Sequence, residues 1–142
     1  MRAGAEWHRV AVAVMVAALT AACSEALPSF GGTDCGSEAN EPNTQARRCL
    51  LRSFDAGAPA TLVSHLTSVE GDPITRIYAV LGPGQLEIVH DARQDAFGSG
   101  KIEYLRCDRL VPVDEWNLTR TFPDIIPARF VFVEDGCRDA TN

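Results

Sequence analysis

The apolar positions of this chain change texture three times along its length. Val10 to Leu19 form an unbroken run, shorter than the roughly 20 residues a helix needs to cross a bilayer. Residues 24–42 (SEALPSFGGTDCGSEANEP) mix Gly, Ser, Pro and acids without any period, which predicts a flexible tether pinned late by Cys35. A helical pattern follows. Ala46, Cys49, Leu50, Ser53 and Phe54 make one stripe over Thr44–Ala56, while Arg47, Arg48, Arg52 and Asp55 fall largely on the other side. Asn43 is placed to cap the start, and Gly57 with Pro59 supplies the stop.

From Ala60 the period shortens to that of strands. Thr61–Val69 and Ile74–Leu81 are rich in β-branched and apolar residues and are separated by Glu70-Gly71-Asp72-Pro73. Gly82-Pro83-Gly84 is a turn signal, so Gln85–His90 should return antiparallel to the preceding strand. Asp91 to Gly100 reads as a polar loop and Lys101–Cys107 as the next strand; a Pro-interrupted stretch then leads to a last strand at Arg129–Val133. The predicted fold class is α+β: one N-terminal helix packed on an antiparallel sheet of about four to five strands, in a single domain over residues 43–142.

The first texture carries an address. Arg2 and Arg9 precede the apolar run, and Leu19-Thr20-Ala21-Ala22 leads directly into Cys23. A charged start, a short apolar middle and a small-residue exit form a secretory signal. With a cysteine at its end, the segment resembles a bacterial lipoprotein signal: residues 1–22 are removed and Cys23 is acylated. Thr20 stands where such signals usually carry Leu, with Leu19 one step further back. The alternative is an ordinary secretory signal that leaves Cys23 as an odd thiol. The expectation is a cell-envelope protein, held to the membrane through its N-terminal lipid and facing the periplasm or exterior, with residues 23–42 as its spacer.

Cys35, Cys49, Cys107 and Cys137 remain, an even set that in an exported small domain implies two disulfides. Three pairings are open. No CxxC or HxxxH spacing supports a metal instead, and His65 and His90 stand alone. The formal net charge of −6 argues against nucleic acid as a partner.

Two polar clusters remain as candidate functional loops: Glu70 and Asp72 in the first connection, and Asp91, Asp95 and Phe97 in the later one. Thr67, Glu70, Gly71, Asp72, Pro73 and Ile74, followed by Asp91, Asp95, Phe97, Gly98 and Cys107, resemble a family of uncharacterised bacterial lipoproteins. Members of that family share a T-x-x-E-G-D-P-I segment followed by a D-x-x-x-D-x-F/W-G loop. The resemblance covers about residues 45–110 and implies no activity, because none attaches to the family. Physically, Gly71-Asp72-Pro73 is turn chemistry and Phe97-Gly98 an aromatic anchor at a bend. If the four carboxylates converge at one sheet edge, they offer oxygen ligands suited to calcium, though not at EF-hand spacing.

No catalytic residues, metal site or cofactor are assigned from the sequence. Ser64-His65 and His90-Asp91 are chain neighbours that point to opposite faces of a strand, so neither pair forms a dyad. Phe122, Phe130 and Phe132 are read as packing. The expectation is a non-enzymatic binding domain for an envelope protein or ligand. A calcium-dependent envelope hydrolase and an enzyme-inhibitor module are the alternatives.

Overall fold

The computed structural model describes residues 25–121 and 123–140. The expected signal at residues 1–22 and the expected acylation site Cys23 lie outside the described residues. Eight strands, two α-helices and one 3-10 turn make up the rest: β1 (Thr33–Ala39), α1 (Thr44–Ala56), β2 (Ala60–Thr67), β3 (Pro73–Gly82), β4 (Gln85–Asp91), β5 (Ile102–Cys107), β6 (Arg109–Pro112), α2 (Val113–Asn117), a 3-10 turn (Ala128–Phe130), β7 (Phe132–Asp135) and β8 (Arg138–Asp139). Six strands form one sheet in the order β1-β2-β3-β4-β5-β8, and β6 pairs with β7 in a separate ribbon.

The α+β class holds, with three corrections, one being that the sheet is mixed and not wholly antiparallel, since β1 runs parallel to β2. The sheet has six strands instead of four to five, and the helix is not the first element, because β1 precedes it. β1 pairs parallel to β2, with α1 as the crossover between them. It occupies part of the segment expected to be a tether, and it was hidden there by composition. As an edge strand it buries only Glu38, so no apolar alternation marks it. The expected last strand at Arg129–Val133 divides into the 3-10 turn and β7, with Val131 at the break (φ 65°).

α1 forms where expected and for the expected reasons. The Asn43 side chain accepts from the amides of Gln45 and Ala46, both at 3.2 Å. Gly57 closes the other end in the left-handed region, donating to the Phe54 carbonyl at 3.0 Å. Its buried side presents Ala46 and Leu50 to the sheet, where Leu62, Tyr78, Val80, Leu86, Ile88 and Cys107 meet them. Leu110 and Phe132 from the β6–β7 ribbon complete that core. Strand register explains the composition of this face. Leu62 opposes Tyr78, Tyr78 opposes Ile88 and Ile88 opposes Leu105, so side chains two apart along each strand line the same layer.

Two disulfides staple the layers, Cys35–Cys49 and Cys107–Cys137. The first ties β1 to α1. The second ties the end of β5 to the chain between β7 and β8. They close loops of 14 and 30 residues, each adding roughly 3–4 kcal/mol in the chain-entropy account.

Candidate functional site

The two acidic loops do converge at one end of the sheet, but their carboxylates are committed to holding the loops. The Asp72 carboxylate accepts from the Ala96 amide at 3.0 Å, which clasps the β2–β3 turn to the β4–β5 loop. Asp95 accepts from the Phe97 and Gly98 amides at 3.2 and 3.0 Å. Asp91 takes the Arg93 guanidinium at 2.8 and 2.9 Å, and those bonds hold its carboxyl below the usual carboxylate range. Glu70 is an exposed residue of a turn closed by Ser68 and Asp72. Among the described residues no group of three or more His, Cys, Asp or Glu is placed to hold a metal ion. Local side-chain-to-amide turn bonding therefore accounts for Asp91 and Asp95, and the inter-loop clasp for Asp72. Phe97 lies at the loop tip and is 80% exposed.

A different site emerges on the face that carries α1. Thirteen helical residues cover only part of the sheet. Beyond them the inward positions change character: Ser64 opposes Arg76, Arg76 opposes His90, and His90 opposes Glu103. This polar row lies one step along each strand from the apolar core. Above part of it the segment from Ile125 to Glu134 forms a roof, leaving a cavity of about 480 Å³. That size falls in the range of small-molecule sites. Ser64, Leu66, Arg76 and Tyr78 line it from the sheet and Arg47 from the helix. Ile126, Pro127 and Phe130 contribute apolar roof, and Glu134 a carboxylate.

Arg47 corrects the sequence reading. Its charge placed it on the polar side of α1, yet it is 8% exposed. It donates to Glu38 of β1 through Nε and Nη2, the latter at 2.6 Å, and to the Phe130 carbonyl at 3.2 Å. The guanidinium carbon lies 5.0 Å from the Phe132 ring centre and 5.8 Å from that of Phe130, within cation–π range. Burial would push the Glu38 carboxyl up, but hydrogen bonds from Arg47 and the Asn43 amide outweigh it and hold the carboxyl low. The pair is an internally satisfied salt bridge that joins β1, α1 and the roof.

Arg76 is not satisfied in this way. Its Nη1 reaches the Tyr78 hydroxyl only at 3.4 Å, and its buried Nε finds no acceptor among the described residues. A guanidinium presents five donors in a fixed fork, and a buried donor without a partner costs about 1–3 kcal/mol. Next to it, His90 Nδ1 is also buried and unpartnered. Burial and the Arg76 charge push the His90 pKa down, against Glu103, Asp91 and Asp95, which pull it up. Tyr78 is pushed up to about 12 by burial and by Glu134, so it stays a neutral phenol that can donate. The cavity thus combines an apolar roof, the under-partnered Arg76, the paired Arg47, the Ser64 and Tyr78 hydroxyls and the Glu134 carboxylate.

The signal for this site was present in the strands. Ile74, Arg76, Tyr78 and Val80 share one face of β3, and Leu86, Ile88 and His90 one face of β4. A charged or titratable residue interrupts each apolar series at the same level of the sheet. His65, by contrast, faces the other way and is exposed. No family model, no curated protein and no solved structure matches the chain.

Proposed function

We propose that the protein is a lipid-anchored envelope binding domain whose ligand is a small amphipathic acid, held in the cavity between the polar end of the sheet and the Ile125–Glu134 segment. The observation that carries this reading is Arg76, which lines an apolar-roofed cavity and whose buried Nε has no acceptor among the described residues. A carboxylate head completes the guanidinium fork with charge-assisted bonds. An apolar body then lies against Leu66, Ile126, Pro127 and Phe130. The anchor reading draws support from the Arg2/Arg9, apolar-run, Cys23 pattern and from two disulfides, which persist in oxidising compartments. The non-enzymatic reading draws support from the carboxylates being engaged in loop structure.

Octanoate and octanol separate charge recognition from apolar filling. Titrated into the full chain, octanoate is expected to raise the thermal midpoint more than octanol does. Arg76→Leu is expected to abolish that difference while leaving the octanol effect in place. Equal shifts from both probes in the unaltered chain would sink the anionic-ligand reading.

A further inference from the structure

The end of the sheet that carries the clasped loops is also where the chain enters the fold. The Glu25 carbonyl accepts from Arg93 of the β4–β5 loop. From there the chain runs to Thr33, whose amide bonds the Pro59 carbonyl at 2.9 Å, at the opposite end of β2. Gly32 lets the strap pass close there, since a Cβ on it would lie 2.2 Å from the Pro59 oxygen. Asp91, which holds Arg93, points away from the α1 face together with Val89 and Glu87. Residues 25–32 therefore lie along the back of the sheet, with Leu27, Pro28 and Phe30 half-buried. The segment expected to space the domain from a membrane is part of the domain. Cys23 stands two residues before Glu25, a reach of at most about 7 Å of extended chain.

Two large apolar side chains protrude at this same end. Val69 at the tip of the β2–β3 turn is 98% exposed and Phe97 at the tip of the β4–β5 loop is 80% exposed. The Asp72–Ala96 hydrogen bond holds the two loops together. Neither side chain contributes to the core.

We propose that this loop end is a membrane-contact surface: Phe97 and Val69 enter the interfacial layer of the bilayer to which acylated Cys23 holds the chain. The proposal rests on the reading of Cys23 as acylated. The occupant follows from where the chain enters, since a lipid on Cys23 is tethered by at most about 7 Å of extended chain to Glu25, whose carbonyl meets Arg93 of that loop. Aromatic and aliphatic side chains partition favourably into that layer. Asp91 is paired with Arg93, Asp72 and Asp95 accept from backbone amides, and Glu70 beside Val69 is exposed, so the contact draws on the two apolar side chains and not on basic charge. It therefore needs no anionic lipid. The domain then stands with its sheet end on the bilayer instead of drifting on a spacer.

The test places a reporter at each end of the sheet. Trp116 is replaced by Phe, and Phe97→Trp or Leu81→Trp is introduced; Leu81 is 41% exposed and lies at the far end, beside the β3–β4 turn. The full chain, with acylation at Cys23 read from its intact mass, is reconstituted into phosphatidylcholine vesicles brominated on their acyl chains. The tryptophan at position 97 is expected to lose most of its emission, and that at position 81 to keep it. Acylated chain with emission retained at both positions, or lost equally from both, overturns the proposed surface while leaving the anchor intact. A mass without acyl chains removes the anchor reading and the proposal with it.

Discussion

The two ends of the α1-covered sheet face are built on the same strands and obey opposite rules. At one end Leu62, Val80, Leu86 and Ile88 meet Leu50 and Ala46 in a dry layer. Along each strand, at the other end, Ser64, Arg76, His90 and Glu103 take the equivalent inward positions. The first end is sealed by a helix and the ribbon; the second is roofed by the segment from Ile125 through the 3-10 turn into β7, which leaves about 480 Å³ unfilled. Arg47 stands at the seam between them, with Glu38 as its counter-ion. The difference shows how a short helix creates a site. Where α1 stops covering the sheet, the inward positions are released from packing and become available for recognition.

Breaking the seam should produce the largest effect. Glu38→Ala leaves the Arg47 guanidinium buried without its anion and is expected to cost about 3–5 kcal/mol in chemical denaturation. Replacing both partners together, with Glu38→Leu and Arg47→Met, should recover most of that loss. If the single and double variants fall equally, the pair is not the origin of the cost.

Within the dry end, Leu62→Ala is expected to destabilise by about 2–5 kcal/mol through lost burial and the cavity left behind. Arg76→Leu, at the equivalent inward position two residues beyond Tyr78 on the next strand, should change stability by less than about 1 kcal/mol, since it removes an unsatisfied donor. Equal losses in the two variants would erase the distinction between core and site.

The smallest effect concerns acid. Burial and Arg76 lower the His90 pKa from 6.5 in the fold, so the unfolded chain binds the proton first. Stability should therefore fall as pH drops below about 6.5 toward the folded pKa. His90→Gln should flatten that part of the profile, read from urea midpoints at a series of pH values. An unchanged slope in the variant would assign it to the carboxylates.

Much of the fold was legible because local chemistry and packing agree. The helix, its caps, the Gly82-Pro83-Gly84 turn and the β2–β5 series all follow from spacing and turn residues. What escaped was structure whose formation depends on partners far along the chain. β1 (TDCGSEA) has no apolar period because its role is to supply Cys35 and Glu38 to α1. β8 has two residues and gains its place from the neighbouring Cys137 bridge. Arg47 was assigned to solvent by its charge, which is a sound rule until a buried carboxylate from another element meets it. The acidic loops are the densest polar groups in the sequence, yet that density serves turns and the clasp between them. The cavity was signalled more quietly, by Arg76 and His90 occupying core-facing positions in otherwise apolar series.

The order of the cysteines has a consequence for how such a molecule is made. Each disulfide joins neighbours in the succession of thiols, Cys35 with Cys49 and Cys107 with Cys137. A chain delivered N-terminus first into an oxidising compartment presents Cys35 and Cys49 together long before Cys107 emerges. Where Cys23 is acylated and so withdrawn as a thiol, the first available partner is the native one at both steps. Oxidation in order of arrival therefore yields the finished connectivity, with no wrong bridge that a disulfide isomerase must undo.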